Sequence, residues 1–264
     1  MTAPLDATAL RSVVPERWRR IEVVPETGST NADLAARAAD GTDIDATVLL
    51  AEHQSGGRGR QGRVWSAVPG TQILMSAGVS AAEVPAEAWG WLPLAAGLAV
   101  IDAVEPVLAQ AGHSPKLKWP NDVLVGDGKL CGILCELADG RQVIVGIGLN
   151  VSADARSLPD PAAVSVRSLG VPEPDRHQLA AALLTGLDRR IGQWRTGDPA
   201  LARDYRAHSA TLGQRVRAEL PNGAVVGTAA DIDTSGALLI DSIAGQRITV
   251  SAGDVVHLRP DRGA

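Results

Sequence analysis

Three arginines and four glycines fall within eight residues, from Gly56 to Arg63 (GGRGRQGR). Glycine lets a backbone come close to a ligand, and arginine supplies a permanent charge and a planar fork that fits phosphate or carboxylate. In a chain whose formal net charge is −5, this loop predicts a binding site for an anion, and Trp65 just after it could stack on a base. The alternatives are a solvated loop without a ligand and an RNA-binding Arg/Gly segment, although such segments usually repeat over a much longer stretch.

A second polar cluster, KWPND at positions 118–122, precedes a predicted hairpin that leads to Lys129. The GDG sequence at 126–128 is typical of a hairpin turn. A lysine beside such a turn is most often solvated. Lys129, however, opens an apolar strand, so its ammonium group could lie over the end of the sheet. Asn121 and Asp122, at the opposite end of the same hairpin, could add polar contacts there.

A third segment, GIGLN at 146–150, is a predicted strand with two glycines. Glycine in a strand often marks the close approach of a ligand or another backbone. The segment is not a dinucleotide fingerprint, because no helix follows it, and the sequence contains no Walker loop, HExxH motif or GxSxG elbow. Arginines and one lysine suit adenylation, which needs an aligned carboxylate and positive charge at the transition state. The sequence therefore predicts a site for a nucleotide beside a second, smaller ligand.

The elements that position these residues are predicted by hydrophobic periodicity and capping signals. Ser29, with an acid at Asp33 and alanines beyond it, predicts the start of a helix. Two buried strands, Thr47–Leu50 and Ile73–Val79, flank the arginine-rich loop and would fix its ends. Further helices are predicted within Ala86–Gly112, Asp175–Trp194 and Pro199–His208, and further strands at Val123–Val125, Leu130–Leu137 and Arg141–Val151.

After Leu212 the pattern changes to short alternating runs punctuated by glycine turns, between Gln214 and Leu258. Five short strands in about 50 residues predict a small β-barrel. The predicted fold class is therefore α/β (α+β). A domain with a mixed sheet is expected over residues 1–212, and an SH3-like β-barrel domain over 213–264.

The composition, 45% hydrophobic and 21% charged over 264 residues, is ordinary for a soluble globular protein. The negative net charge disfavours a nucleic-acid-binding surface. No apolar run reaches the roughly 20 residues of a membrane span and no export signal is recognisable, so a cytoplasmic location without a membrane partner is expected. Cys131 and Cys135 would lie about 13 Å apart on a strand, too far for a disulfide, and are expected to be small buried residues.

Five blocks, in this order, together resemble the biotin–protein ligase family. They are GSTN (28–31), AEHQ (51–54) running into GRGRQGRVW, then KWPNDV, GKLCGIL and GIGLN. The resemblance covers roughly residues 25–260, and the combination of GRGRxGR, KWPND and GKLxGIL is highly specific. It implies a catalytic domain of the biotin/lipoate ligase type followed by the family's small SH3-like domain. It also implies the monofunctional form, because Ser29 is too near the start for a preceding DNA-binding domain.

The resemblance also implies roles for individual residues. Biotin would be contacted by Ser29, Thr30, Asn31, Gln54, Arg58, Gly59, Arg60, Lys129 and Gly132. ATP would be contacted by Arg58, Arg60, Arg63, Trp65, Lys118, Asn121, Lys129 and Asn150. The catalytic residues would be Lys129, bridging the biotin carboxylate and the α-phosphate, and Arg58 in the loop that closes over both. His53 replaces an aromatic residue of relatives and is expected to pack near the site without acting as an acid or base.

The implied reaction has two steps. Biotin and ATP, with Mg²⁺, give biotinyl-5′-AMP, and a lysine of a biotin carboxyl carrier domain of an acyl-CoA or pyruvate carboxylase then takes the biotin. No DNA partner is expected. The rivals are a lipoate–protein ligase-like acyltransferase of the same fold and a nucleic-acid-binding module. The loop GRGRxGR and the KWPND block favour biotin over lipoate.

Overall fold

The computed structural model describes residues 3–66, 68–158, 160–220, 223–251 and 254–257, which contain five α-helices and twelve β-strands. The helices are α1 (Ala7–Val13), α2 (Thr30–Ala39), α3 (Trp91–Gln110), α4 (Arg176–Thr196) and α5 (Pro199–His208). The strands are β1 (Arg20–Val24), β2 (Thr47–Ala51), β3 (Gln72–Ser80), β4 (Pro115–Lys118), β5 (Asp122–Val125), β6 (Gly128–Leu137), β7 (Gln142–Asn150), β8 (Arg215–Leu220), β9 (Gly223–Ile232), β10 (Leu238–Ser242), β11 (Arg247–Val250) and β12 (Asp254–His257).

Strands β1 to β7 form one sheet in the order β1-β2-β3-β7-β6-β5-β4. The pair β1 and β2 is parallel and the other neighbouring pairs are antiparallel, so the predicted mixed sheet is confirmed. Strands β2 and β3 coincide with the two buried strands predicted beside the arginine-rich loop. Strands β1 and β4 were not predicted, because β1 has only one buried residue and β4 (PKLK) is short and carries two lysines.

Helix α2 covers part of one face of this sheet, and α3 and α4 cover the other. Along β2, Leu49 belongs to a small cluster with Leu34 of α2, while Val48 and Leu50 belong to the large core with α3 and α4. This division arises because successive strand residues point to opposite faces. The face that carries α2 is the one on which the polar residues of the candidate site gather.

Helix α3 is long and apolar enough to cross a membrane by length and composition alone. Asp102 and Glu105 interrupt its apolar residues, in agreement with the expectation that the sequence holds no uninterrupted apolar run of about 20 residues. Burial explains the composition, because 67% of its most apolar window lies inside the fold, packed between the sheet and α4. We identify α3 as the central helix of the core, whose residues are hydrophobic on most sides.

The boundary between α4 and α5 is set by three consecutive residues. Gly197 ends α4 with a left-handed φ of 63°, which glycine adopts without steric cost. Asp198 then accepts the N–H of Ala200 as the N-cap of α5, and Pro199 takes a first-turn position where no N–H is needed. The two predicted amphipathic helices are thus found with the predicted break between them.

Strands β8 to β12 form a second, fully antiparallel sheet in the order β11-β10-β9-β8-β12. This sheet agrees with the five short strands predicted after Leu212, although Leu258, the last residue predicted for them, lies outside the described residues. The expected domain boundary between residues 212 and 213 falls between α5 and β8. That boundary stays a prediction.

A turn of the second sheet, residues 233–237, packs tightly against the first part of the chain. The indole N–H of Trp91 donates to the carbonyls of Asp233 and Thr234 at 3.2 and 3.1 Å. The indole N–H of Trp119 donates to the carbonyl of Gly236 at 3.1 Å. Trp119 is the second residue of the KWPND block, so this turn supports a segment that carries predicted site residues.

Candidate active site

A cavity of about 560 Å³ opens on the α2 side of the first sheet. All fourteen residues that the sequence assigns to the site line it: Ser29, Thr30, Asn31, Gln54, Arg58, Gly59, Arg60, Arg63, Trp65, Lys118, Asn121, Lys129, Gly132 and Asn150. They come from α2, the arginine-rich loop, the KWPND block and strands β6 and β7. The structure therefore brings the predicted residues together, while the role of each one stays a prediction.

One end of the cavity is lined by Thr30, Asn31 and Gln54; together with the buried Ser76, which bonds to Thr30 and Asn31, we call these residues the head end. Ser29 caps α2 and thereby places Thr30 and Asn31 at its first turn. Gln54 Oε1 accepts both the backbone N–H of Thr30 at 2.8 Å and its hydroxyl at 2.9 Å. Thr30 Oγ1 lies 2.7 Å from Ser76 Oγ on β3. The head end is thus a compact set of neutral hydrogen-bonding groups.

Asn31 is fixed on three sides. Its amide nitrogen donates to the carbonyl of Leu134 at 3.2 Å and to Glu136 Oε2 at 2.6 Å, and its Oδ1 accepts the Ser76 hydroxyl at 2.5 Å. A Cβ at Gly146 would come within 2.3 Å of Asn31 Oδ1, so only glycine leaves room for this amide. The close approach predicted for the glycines of GIGLN is, at this position, an approach by Asn31.

Ser76 and Glu136 were not predicted as site residues. Ser76 lies in a strand whose first eight residues are all buried, and a serine in such a strand is a signal that hydrogen-bonding partners must be present. Glu136 stands near the end of an apolar strand, where an acid has no obvious meaning in the sequence. Its partner, Asn31 of α2, becomes apparent only when α2 packs on the sheet.

The indole of Trp65 lies on the glycines of the sheet. Gly132 and Gly148 are paired across β6 and β7, and a Cβ on them would fall 2.9 and 2.6 Å from atoms of the Trp65 ring. The indole N–H donates to Gln72 Oε1 at 3.0 Å. The space above the second glycine of GIGLN therefore accommodates Trp65. Its predicted stacking on adenine stays a prediction.

Lys129 lies over the sheet with its side chain only partly exposed. Its ammonium group forms an ion pair with Asp122 at 2.7 Å and lies 5.5 Å from the centre of the Trp65 ring. A shift of register between β5 and β6 occurs at Val123 and Leu124, next to the pairing of Leu124 with Lys129. The hairpin predicted from GDG thus places a cation and an acid in the middle of the cavity. Asp122 had been given no specific role.

The arginine-rich loop is folded as a small hairpin. Arg58 and Val64 pair as an isolated bridge, and the N–H of Gly59 donates to the carbonyl of Arg63 at 2.7 Å. Gln61, with a φ of 55°, forms the tip. Arg60 Nη1 donates to Asn121 Oδ1 at 3.3 Å, which connects the loop to the KWPND block. The loop therefore brings all three of its arginines to the lining of the cavity.

Two asparagines support the backbone around Lys129. Asn121 donates to the carbonyl of Ile133 at 2.8 Å. Asn150, which is buried, donates to the carbonyls of Val164 and Lys129 at 3.0 and 3.4 Å. The amide nitrogens of both residues are therefore committed to backbone carbonyls. Both line the cavity, and their contacts with a nucleotide stay predictions.

Two thiols and one histidine lie near the candidate site in sequence. Cys131 and Cys135 are unpaired, and burial raises the pKa of both thiols, for Cys135 to about 12. They are therefore protonated at neutral pH and are not nucleophiles. No group of three or more His, Cys, Asp or Glu side chains suited to a metal ion occurs within the described ranges. His53 lies 3.6 Å from Glu26, outside the cavity lining.

Comparison with known proteins shows the family. A profile described as "Biotin/lipoate A/B protein ligase family" matches residues 36–151, and one described as "Biotin protein ligase C terminal domain" matches residues 211–258. The chain is 54% identical to a biotin–[acetyl-CoA-carboxylase] ligase of Mycobacterium tuberculosis over 260 residues, 97% of each chain. It is 30% identical to a bifunctional ligase/repressor of Bacillus subtilis, covering 88% of this chain and 71% of that protein.

Solved structures agree. A biotin protein ligase from Aquifex aeolicus in complex with biotin and ATP matches with a TM-score of 0.78 and 25% identity, covering 91% of this chain and 100% of that one. A biotin protein ligase from Leishmania major in complex with biotinyl-5-AMP matches with a TM-score of 0.62 and 27% identity, covering 88% and 99%. The chain belongs to the biotin protein ligase family.

Proposed function

We propose that this chain is an ATP-dependent biotin–protein ligase, which forms biotinyl-5′-AMP and transfers biotin to a lysine of a biotin carboxyl carrier domain. Family membership supports the reaction. The observation that carries the assignment to this cavity is the position of Lys129. Its ammonium group lies against Gly132 and Trp65, below the arginine-rich loop and within the same cavity as the polar head end.

The cavity supplies two kinds of binding group. The head end offers hydroxyl and amide groups without a net charge of its own, which suits the neutral ureido ring of biotin. Arg58, Arg60 and Arg63 line the same cavity and suit the phosphates of ATP. With the ring at the head end, the carboxylate of biotin would extend toward Lys129 and meet the α-phosphate there.

In the first step, a carboxylate oxygen of biotin attacks the α-phosphorus and pyrophosphate leaves. Both reactants are anionic, so a cation between them lowers their repulsion and stabilises the charge that develops. Lys129 is the group we assign to this task. In the free protein its charge is held by Asp122, and the two incoming anions would compete with that carboxylate. Mg²⁺ would arrive with ATP as part of the substrate.

In the second step, the unprotonated amine of the carrier lysine attacks the acyl carbon of the adenylate, and AMP leaves. The adenylate must survive until the carrier arrives, so water must be kept out. We assign this task to the loop with Arg58 and Arg60. The remaining assignments are contacts with biotin by Ser29, Thr30, Asn31, Gln54, Gly59 and Gly132, and with the nucleotide by Arg63, Trp65, Lys118, Asn121 and Asn150.

The first step can be tested by exchange of labelled pyrophosphate into ATP. Exchange that requires biotin is the expected result. Exchange with lipoate and none with biotin would favour a lipoate–protein ligase, and exchange with neither would reject adenylation. The second step is tested by adding isolated carrier domains of an acyl-CoA carboxylase and a pyruvate carboxylase and measuring biotin attached to each by mass spectrometry.

Two negative expectations accompany the proposal. We expect no DNA binding, so a titration with duplex oligonucleotides at low salt should be flat. Binding that weakens steeply as salt is added would contradict this. We also expect the enzyme in the cytoplasm and without a membrane partner, which fractionation of the source cells would test.

A further inference from the structure

Glu136 lies next to the head end without lining the cavity. It is carried by β6, and its Oε2 accepts a hydrogen bond from Asn31 Nδ2 at 2.6 Å. A hydrogen bond to an ionised carboxylate is about twice as strong as one between neutral groups. Among the described residues, Asn31 is the only side chain that hydrogen-bonds to this carboxylate, and Asn31 does line the cavity.

This contact fixes the orientation of the Asn31 amide. Its two N–H groups point to the carbonyl of Leu134 and to Glu136, and both of these are acceptors. If the amide turned over, its oxygen would face two acceptors, one of them charged. Glu136 therefore holds Asn31 with its carbonyl oxygen toward Ser76.

In this orientation of the Asn31 amide, the head end has fewer hydroxyl protons than oxygen–oxygen contacts. Three contacts connect oxygen atoms: Thr30 to Gln54 at 2.9 Å, Thr30 to Ser76 at 2.7 Å, and Ser76 to Asn31 at 2.5 Å. The hydroxyls of Thr30 and Ser76 provide one proton each, so one contact must lack a proton. If the Asn31 amide were reversed, its nitrogen would face Ser76 and the shortage would disappear.

We propose that Glu136 is a positioning residue that, acting through Asn31, makes the head end a set of hydrogen-bond acceptors for a ligand that presents N–H groups. A cyclic urea has two such groups, so the inference rests on the proposed function and refines it. Glu136 sets the affinity for the ring of biotin without touching it. The same carboxylate has no part in binding ATP or in the chemical step.

Kinetics of Glu136→Ala test this role. We expect the KM for biotin to rise about tenfold or more, while kcat at saturating biotin and the KM for ATP stay within about twofold of the wild type. Glu136→Gln should recover most of the affinity, because its Oε1 can still accept from Asn31. Biotin affinity measured by calorimetry without ATP should follow the same order. Unchanged biotin affinity in Glu136→Ala overturns the proposal, and so does an equal loss for ATP.

A double-mutant cycle separates action through Asn31 from a general effect. In the Asn31→Ala background, Glu136→Ala should add little further loss of biotin affinity, because the group that it orients is gone. Additive losses would mean that Glu136 acts by another route. Biotin affinity and the unfolding temperature should be measured on all four proteins, so that a fold defect is recognised.

Glu22→Ala is the matched control. Glu22 also bonds a residue of α2, Arg37, at 2.8 Å, but it has no contact with the head end. The Glu22→Ala variant should be slightly less stable than the wild type and keep its biotin affinity. If the wild type itself shows no biotin-dependent pyrophosphate exchange, the proposed function fails. If the wild type exchanges and Glu136→Ala binds biotin normally, only this inference fails.

Discussion

The neighbours of Lys129 hold its side chain in a position that suits the role we propose for it. Its charge is balanced by Asp122 and its ammonium group lies beside the Trp65 ring, so it is held in the cavity before any ligand binds. Holding a cation in place before the reaction avoids reorganisation when charge develops. The sequence predicts Lys129 at the start of an apolar strand, and the structure adds the two neighbours, Asp122 and Trp65, that hold its ammonium group.

For Lys129→Ala we expect kcat for pyrophosphate exchange to fall about 10²–10³-fold, because the positive charge between two anions is lost. The unfolding temperature should change little, since the side chain is partly exposed and outside the core. Lys116→Ala, on β4 and outside the cavity lining, is the control and should exchange normally. Near-normal turnover of Lys129→Ala with native melting would refute the assignment.

At this scale, sequence reasoning identifies residues whose chemistry is conspicuous in the sequence, such as clustered arginines. It misses Ser76 and Glu136, whose meaning depends on partners 45 and 105 positions away. It predicts a close approach at the glycines of GIGLN but does not identify the side chains that make it, Asn31 and Trp65. Distant partners of this kind cannot be found from local patterns.

The arginine-rich loop is the element to which we assign protection of the intermediate from water. A bridge between Arg58 and Val64 shapes it as a hairpin, and Arg60 connects it to Asn121 beside the cavity. Its two flanking strands were predictable because buried β-branched runs are distinctive. The hairpin itself was not, since glycine-rich segments carry no periodic signal.

For Arg58→Ala we expect faster escape of the adenylate, because the loop closes less firmly over an activated acyl group. The measurement is the appearance of free biotin and AMP in the absence of a carrier, and a rise of about tenfold is expected. Arg215→Ala, an exposed arginine on β8, controls for the loss of one positive charge. Unchanged leakage in Arg58→Ala would mean that another element excludes water.

The junction between the two sheets connects the candidate site to the C-terminal part of the molecule. Gly236 meets Gly90 so closely that a Cβ on Gly236 would lie 2.6 Å from the carbonyl carbon of Gly90. The same turn accepts the indole N–H of Trp119, one residue from Lys118. The second sheet therefore supports the KWPND block, a dependence that the sequence of either part does not reveal.

We expect Gly236→Ala to lose about 2 kcal/mol or more of stability, because left-handed strain and a backbone clash both act. It should also exchange pyrophosphate more slowly, since the KWPND block shifts. Gly245→Ala is the matched control: its φ of 78° is equally left-handed, but no atom lies within 4 Å of the added Cβ. The Gly245→Ala variant should lose only about 1 kcal/mol of its free energy of unfolding and keep full activity. Equal behaviour of the two variants would contradict coupling between the sheets.

A pH dependence arises at the same junction. His257 Nε2 lies 3.1 Å from Thr211 Oγ1, which accepts the backbone N–H of Trp119. Burial, with the charge of Lys118 nearby, lowers the pKa of His257 below 6.5. The folded state therefore binds this proton less readily than the unfolded state, so the stability from this group is complete above about pH 6.5 and declines below it.

We expect the unfolding temperature of the wild type to fall more steeply from about pH 6.5 to about pH 5 than that of His257→Gln, which keeps an acceptor for Thr211 but does not titrate. Thermal scans at closely spaced pH values measure both slopes. Parallel curves would show that His257 does not control acid stability. The charge of Asp127 raises the pKa of His257. Asp127→Asn should therefore lower that pKa further, and the unfolding temperature of this variant should fall more steeply with acid than that of the wild type.

The two thiols, Cys131, which is buried, and Cys135, which is half-buried where full burial was expected, have a practical consequence for observing the loop in motion. Because burial keeps Cys131 and Cys135 protonated, they should resist alkylating dyes while the protein is folded. A cysteine introduced at the exposed tip, Gln61→Cys, would then be the preferred point of attachment for a fluorophore. The natural chain thus offers a background for following loop closure in real time without first removing its own cysteines.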